Sequence, residues 1–169
     1  MSAVILVEGA SDKVAIETLA RRRRRDLAAE GVEIVAIGGA QAVGRVLAAL
    51  GGKRVAGLCD VREEAGFRRA FERAGIAPDV HVCDPDLEGE LIRALGAGAV
   101  EEVLGANGDL SSFRTMQKQP VWRDRPVQDQ LRRFMGSGAR RKARYAALLV
   151  DALDLEAVPA ALDGVLAAL

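Results

Sequence analysis

The chain has 169 residues, half of them hydrophobic and 4% aromatic, and its 24 basic residues balance its 24 acidic ones. This length predicts one compact domain with a sizeable apolar core. The balanced charge excludes the strongly basic or acidic composition that would by itself indicate a nucleic-acid or membrane partner. Two cysteines do not make a disulfide framework, and no apolar run approaches the roughly 20 residues that span a bilayer. We therefore expect a cytoplasmic protein with reduced thiols and no membrane partner.

Four short apolar runs alternate with amphipathic stretches along residues 1–96. The runs lie at 3–7, 32–37, 54–59 and 79–83, and their Val-rich and Ile-rich character is typical of strands buried on both faces. The first run has no basic segment before it, which favours a strand over a signal peptide. Helices are predicted at 12–29, 40–50 and 63–74, and again from about residue 86. This alternation predicts an α/β fold with a four-stranded parallel sheet flanked by helices.

Residues 97–169 are predicted to form a helical C-terminal region that packs on or beside the 1–96 core. Several glycines between 96 and 108 predict a loosened chain, and Pro120 and Pro126 bracket a predicted loop that contains Trp122. Apolar residues at helical spacing predict helices at 127–135, 139–153 and about 156–168.

Acidic residues follow three of the four predicted strands. Glu8 comes directly after the first strand, Asp60 after the third, and Asp84 and Asp86 after the fourth. Binding sites in open parallel sheets lie beyond the carboxyl ends of the strands. We therefore expect these carboxylates to gather at one edge of the sheet.

Such a cluster is costly unless something offsets its charge. Two like charges about 4 Å apart repel by roughly 4 kcal/mol at an effective dielectric constant near 20. A bound cation removes this cost, and an all-oxygen set of ligands favours Mg²⁺ or Mn²⁺, with Ca²⁺ as an alternative. The single histidine, His81, lies inside the fourth strand and is interpreted as structural.

Helix capping is the competing interpretation of each acid taken alone. Asp12 follows Ser11 at the start of the first predicted helix, and Asp84 with Pro85 has the pattern of an N-cap followed by a first helical residue. Capping acids contribute about 0.3–1 kcal/mol each and need no metal. Glu8 is a poor N-cap, and the glycine after it suggests a close approach of the backbone to a ligand.

The order of four motifs resembles the Toprim domain, and most of all the Toprim domain of OLD (overcoming-lysogenisation-defect) nucleases. The motifs span roughly residues 3 to 150. They are Val4-Ile5-Leu6-Val7-Glu8-Gly9-Ala10-Ser11-Asp12, Gly57-Leu58-Cys59-Asp60, Asp86-Leu87-Glu88-Gly89-Glu90-Leu91-Ile92 and Arg141-Lys142-Ala143-Arg144-Tyr145-Ala146. The resemblance implies a Toprim-like sheet and metal-dependent cleavage of nucleic acid through two metal ions, with DNA as the expected substrate.

The resemblance also implies roles for individual residues. Glu8 would be a general acid/base or a metal ligand, and Lys142 would stabilise the charge of the phosphate. The other implied metal ligands are Asp12, Asp60, Asp86 and Glu88, with Glu64 as a substitute ligand from the turn after the third strand. The implied nucleic-acid contacts are Arg140, Arg141 and Arg144.

Two departures from the family pattern affect these expectations. The family has a second Asp two residues after the first, and this position is Arg62 here. Glu63 or Glu64 would have to substitute for it, or one of two metal positions is weakened. OLD nucleases also carry a fused ATPase, whereas no P-loop pattern occurs in this sequence, so we expect any ATPase on another chain.

Three functional hypotheses stay open at this point. The first is a DNA nuclease, and the second is a nucleotidyl transferase that uses the same metal geometry. The third is a non-catalytic module that binds metal or nucleic acid and works with a partner ATPase. The run Arg21–Arg25 is interpreted mainly as a solvated helix end. The sequence leaves the oligomeric state undetermined.

Overall fold

A computed structural model describes residues 2–169 of the chain, apart from the side chain of Ala40. The strands are β1 (Ala3–Val7), β2 (Val32–Ala36), β3 (Arg54–Asp60) and β4 (Val80–Cys83). The helices between them are α1 (Ala10–Arg22), α2 (Val43–Ala49) and α3 (Glu64–Arg73). The helices after β4 are α4 (Leu87–Leu95), α5 (Ala97–Ala106), α6 (Leu110–Gln117), α7 (Val127–Met135), α8 (Ala139–Ala152) and α9 (Ala160–Ala167).

The four strands form one parallel sheet in the order β2-β1-β3-β4, which confirms the predicted fold class. All five residues of β1 are buried, and so are the five central residues of β3. This double burial explains why both strands are continuous apolar runs in the sequence.

The strand order reverses between β1 and β3, because β2 is added on one side of β1 and β3 and β4 on the other. Helix α1 packs on one face together with the C-terminal helices, and α2 and α3 pack on the other face. In a parallel sheet, this reversal opens a crevice beyond the carboxyl ends of the two adjacent strands. The sheet order therefore places the crevice directly at Glu8 and Asp60.

Residues 97–117 differ from the sequence prediction, because they form α5 and α6 and not a loosened chain. Val100, Leu104 and Phe113 are fully buried in the core that the sheet and the C-terminal helices share. Glycine inside a helix costs about 1 kcal/mol relative to alanine, and burial of these apolar side chains outweighs that cost. No helix among residues 2–169 is long and apolar enough to cross a bilayer.

The predicted first helix ends at Arg22, seven positions before the expected end at 29, because Arg24 adopts a left-handed backbone conformation with φ of 57°. The arginines around this turn hold the C-terminal helices. Arg22 donates hydrogen bonds of 2.7 Å to the carbonyls of Val150 and Leu153 at the end of α8. Arg21 pairs with Asp151, Arg23 with Asp163, and Arg25 with Glu30 and the Leu166 carbonyl. Four of these five arginines thus have structural partners.

Candidate functional site

Glu8 and Asp60 lie side by side at the crevice. Val7 and Leu58 are paired in the parallel register of β1 and β3, so the residues that follow them emerge together at the sheet edge. The Glu8 carboxylate accepts a hydrogen bond of 2.8 Å from the backbone N–H of Asp60. This bond orients Glu8 across the end of the neighbouring strand.

Asp12 reaches the same crevice from the first turn of α1. Gly9 is the N-cap of this helix, and its N–H donates a hydrogen bond of 2.9 Å to Asp12 Oδ2. A cavity of about 260 Å³ lies between these elements, lined by the acid that follows β1, by acids of α1, β3 and α4, and by one lysine of α8. Its charged lining residues are Glu8, Asp12, Asp60, Glu88 and Lys142.

Glu88 is the most buried acid of this cavity. It is 6% exposed, and its Oε1 atom accepts no hydrogen bond although it is shielded from solvent. Lys142 Nζ lies 3.3 Å from that oxygen, within ion-pair distance but outside hydrogen-bond geometry. A buried carboxylate oxygen without a hydrogen bond is costly; Lys142 offsets part of this cost, and a cation bound in the cavity would offset more of it.

Asp86 lies outside this cavity and has two structural partners. Its Oδ1 accepts a hydrogen bond of 2.9 Å from the Gly89 N–H, and its Oδ2 lies 2.6 Å from the guanidinium of Arg132. Asp86, and not Asp84 with Pro85, is therefore the N-cap of α4. Gly89 is required here, because a Cβ atom would lie 2.8 Å from Cδ of Pro85.

Glu64, expected as a substitute metal ligand from the turn after β3, lies away from the other acids. Glu64 pairs with Arg68 on α3 at 2.7 Å and does not line the acidic cavity. The neighbouring Glu63 does act on the site, because its negative charge contributes to raising the pKa of Glu8. Arg62 is exposed and lines a second groove, which Glu88 and Lys142 also border.

The late basic motif divides between two faces of α8. Lys142 faces the acids, whereas Arg141 donates a hydrogen bond of 2.8 Å to Ser137 Oγ and stacks over the ring of Phe134. Arg144 pairs with Asp109 at 3.2 Å. Arg140 is exposed, and no carboxylate of the described residues lies within 4.0 Å of it.

The acids of the cavity shift one another's protonation. Burial raises the pKa of the Asp60 carboxyl to about 7, and the charges of Glu8, Asp12, Asp86 and Glu88 add to this effect. Burial likewise raises the pKa of Asp12 to about 6, although its hydrogen bond from the Gly9 N–H opposes the shift. Burial also raises the pKa of Glu8, although the hydrogen bond from the Asp60 N–H acts to lower it.

Lys142 supplies the positive charge of the cavity. Burial alone would lower the pKa of its ammonium group, but the negative charges of Glu88, Asp12 and Asp60 outweigh burial and raise it. Lys142 therefore stays protonated beside carboxyl groups that resist ionisation.

The nitrogen and sulfur ligands of the chain do not line this cavity. Cys59 and Cys83 are free and buried, and burial raises the pKa of the Cys59 thiol to about 12. His81 Nε2 lies 3.0 Å from Asp79 Oδ1, and its ring packs against the backbone of Gly164 on α9. The side chains at the sheet edge that could coordinate a metal ion are thus carboxylates, the ligand type that suits Mg²⁺, Mn²⁺ or Ca²⁺.

The carboxylates surround the cavity without converging on one point. Among residues 2–169, no three His, Cys, Asp or Glu side chains are close enough together to hold a metal ion as they stand. Like-charged carboxylates repel one another in the absence of a cation. The carboxylate ligands and the Glu88 oxygen that lacks a hydrogen bond nevertheless fit a divalent ion, with Glu8, Asp12, Asp60 and Glu88 as the side chains that would hold it.

The sequence predictions missed two parts of this region. Arg132 neutralises Asp86, and Trp122 lines the groove beside Glu88. The sequence predicts a loop that contains Trp122 but does not relate this loop to the acids. No local sequence signal indicates that either residue lies near an acid about 40 positions earlier in the chain.

The family model described as "Overcoming lysogenization defect protein-like, TOPRIM domain" matches residues 1–60. The C-terminal region of the Burkholderia pseudomallei OLD protein is similar in structure, with a TM-score of 0.70 and 16% identity over 98% of this chain and 95% of that one. The C-terminal region of the Xanthomonas campestris pv. campestris OLD protein, phased with platinum, has a TM-score of 0.71 and 20% identity over 98% and 90%. None of the curated proteins matches the sequence significantly.

The residues matched in sequence contain Glu8, Asp12 and Asp60, and the structural likeness extends over α4 and α8, which contribute Glu88 and Lys142. Residues 1–60 thus match an OLD-like Toprim domain in sequence, and nearly the whole chain has the fold of OLD C-terminal regions, which confirms the resemblance predicted from the motifs.

Proposed function

We propose that this chain is a divalent-metal-dependent nuclease that hydrolyses phosphodiester bonds of DNA. The observation that carries the proposal is the buried Oε1 of Glu88, which has no hydrogen-bond partner and borders a cavity shared with Glu8, Asp12 and Asp60. The carboxylate oxygens of this cavity are the ligands that Mg²⁺ and Mn²⁺ prefer. A bound ion of this kind neutralises phosphate charge and makes a coordinated water more acidic.

Hydrolysis adds one water molecule across a P–O ester bond. The water oxygen bonds to phosphorus, the bond to the leaving sugar oxygen breaks, and one proton passes from the water to a base while the leaving oxygen gains a proton. Glu8 suits the role of this base, because burial raises the pKa of its carboxyl toward the range useful for proton transfer. Its hydrogen bond from the Asp60 N–H holds the carboxylate at the mouth of the crevice.

Lys142 suits the role of a fixed positive charge beside the reacting phosphate. Its ammonium lies 3.3 Å from Glu88 and stays protonated because three acids surround it. A preorganised cation in a partly buried site stabilises the charge that develops on the phosphate oxygens in the transition state. An ATPase on another chain stays a prediction of the family resemblance.

A plasmid-cleavage assay tests this proposal. Supercoiled DNA is incubated with the full chain and either Mg²⁺ or Mn²⁺, and nicking is followed on gels. We expect Glu8→Gln, Asp60→Ala and Lys142→Ala to reduce cleavage at least 100-fold, whereas Glu72→Gln, which removes an exposed acid on α3, should cleave like the wild type. Cleavage that persists at the wild-type rate in both Glu8→Gln and Asp60→Ala would refute the assignment.

A metal-binding measurement separates loss of catalysis from loss of the site. Mn²⁺ should raise the Tm of the wild type and of Lys142→Ala, but much less that of Asp60→Ala. A shift of equal size in Asp60→Ala would show that the ion binds elsewhere.

A non-catalytic metal- or nucleic-acid-binding module is the second candidate function. It is favoured by Arg62, which stands where the resembled family has a second Asp, and by the pairing of Asp86 with Arg132. Metal binding without cleavage of any DNA substrate would support this alternative.

A further inference from the structure

A second groove, of about 590 Å³, adjoins the acidic cavity between α4, α7 and the loop before α7. Glu88 and Lys142 line both spaces, so a molecule lying in the groove reaches the acids directly. Besides Arg132, the groove contains three further arginines and the single tryptophan of the chain, namely Arg62, Arg125, Arg133 and Trp122.

The three arginines give this groove an excess of positive charge. No carboxylate among residues 2–169 lies within 4.0 Å of any of them. The other two basic side chains of the groove are already neutralised, Arg132 by Asp86 at 2.6 Å and Lys142 by Glu88 at 3.3 Å. The remaining acid of the lining is Asp129, so the groove has three uncompensated cations against one anion.

A buried polar network holds the tryptophan loop in place. Gln130 is 5% exposed, and its Nε2 donates a hydrogen bond of 2.7 Å to the Trp122 carbonyl. Gln117 in turn donates a hydrogen bond of 2.7 Å to Gln130 Oε1. Satisfied buried polar networks specify one geometry, and a loop ordered in advance loses less entropy when it binds a ligand.

Trp122 is half-buried and borders the groove, and the Arg133 guanidinium lies 6.0 Å from the centroid of its ring. The aromatic surface and the arginines together match a chain that alternates flat rings with phosphates. Unpaired bases stack on aromatic side chains, and arginines bind the intervening phosphates. A duplex keeps its base faces stacked inside the helix and cannot use the tryptophan in this way.

We propose that this groove binds one single strand of nucleic acid, with a base stacked on Trp122 and phosphates on Arg62, Arg125 and Arg133, and leads it to the acidic cavity. The proposal deepens the proposed function, since it names the strand-binding surface and the form of substrate. It differs from the surface predicted from the sequence, in which Arg141 and Arg144 have internal partners and Arg140 is exposed.

Fluorescence anisotropy with a labelled single-stranded DNA oligonucleotide tests the groove without requiring cleavage. The full chain is used with EDTA present, and folding of each variant is checked by its Tm. Trp122→Ala should weaken binding about 5- to 100-fold, the loss expected for one stacked base, and Trp122→Phe should retain most of the affinity. Arg125→Ala and Arg133→Ala should each reduce the slope of log affinity against log salt by about one.

Arg54→Ala is the matched control, because Arg54 is exposed at the opposite end of β3. It should bind the oligonucleotide like the wild type. Unchanged affinity in Trp122→Ala, or weakening by Arg140→Ala without weakening by Trp122→Ala, would overturn the proposal.

The two proposals fail in different ways. Unchanged strand binding in Trp122→Ala, with cleavage still dependent on Glu8, would refute the groove and leave the nuclease assignment intact. Strand binding that depends on Trp122, in a protein that neither binds Mn²⁺ nor cleaves DNA, would refute the nuclease assignment and support the groove.

Discussion

Deprotonation of Asp60 should destabilise the metal-free protein, and Asp60→Asn should remove much of this pH dependence. The pKa of Asp60 is about 7 in the folded chain, against the ordinary value of 3.8. Between these values the folded state retains a proton that the unfolded state has released. The free energy of unfolding therefore falls as pH rises from about 4 to about 7, and stays low above that.

The size of the effect follows from the pKa difference. From pH 5 to the folded pKa near 7, full burial would make the loss about 2.7 kcal/mol. Asp60 is partly exposed, so solvent screening reduces this to about 1.5 kcal/mol. In a chain of this length, the wild type should lose about 3–6 °C of Tm between pH 5 and pH 8 relative to Asp60→Asn.

Thermal unfolding followed by circular dichroism in EDTA, at pH values from 5 to 8, measures this difference. Glu72→Gln is the control, since it removes an exposed acid far from the cavity and should parallel the wild type. Added Mn²⁺ should restore most of the Tm of the wild type at pH 8. Parallel pH curves for Asp60→Asn and the wild type would refute the proposed coupling of the acids.

Three further substitutions test other parts of the structure. Arg22→Ala removes two 2.7 Å hydrogen bonds to the end of α8 and should lower the free energy of unfolding by about 2–3 kcal/mol in urea, whereas Arg69→Ala, at an exposed position of α3, should change it by less than about 0.5 kcal/mol. Gly89→Ala should cost about 1–3 kcal/mol, because its Cβ atom would lie 2.8 Å from Pro85; an unchanged urea midpoint would show that the proline moves aside. Arg62→Asp should strengthen Mn²⁺ binding about tenfold by calorimetry, since it replaces a cation near the acids by an oxygen ligand; unchanged affinity would place residue 62 outside the metal site.

The architecture was largely predictable, because the signals for it are local. Apolar runs of about five residues mark β1 and β3, which are buried on both faces, and the carboxyl end of each strand is readable from the next polar residue. Parallel strands bring their carboxyl ends to one edge, so Glu8 and Asp60 were expected at a common edge, whereas their direct hydrogen bond depends on β1 lying next to β3.

Which of the remaining charged residues form ion pairs and which line the cavity was not predictable, because this depends on contacts between distant parts of the chain. Asp86 and Glu88 are two positions apart and carry the same charge, yet one pairs with Arg132 and the other keeps a buried oxygen without a hydrogen bond. The arginine run at 21–25 similarly has the composition of a solvated helix end, but Arg21 and Arg22 have their partners more than 120 positions later, at α8.

The sequence by itself determined a parallel α/β fold and an acidic sheet edge, since both follow from periodicity and from the direction of the strands. Tertiary structure alone decided which acids face the cavity and that Trp122 lies beside them in a basic groove. The physical reason is that burial, ion pairing and pKa depend on every group packed around a side chain, and distant parts of the chain supply those groups here: the last third contributes Lys142 to the cavity and most of the lining of the groove.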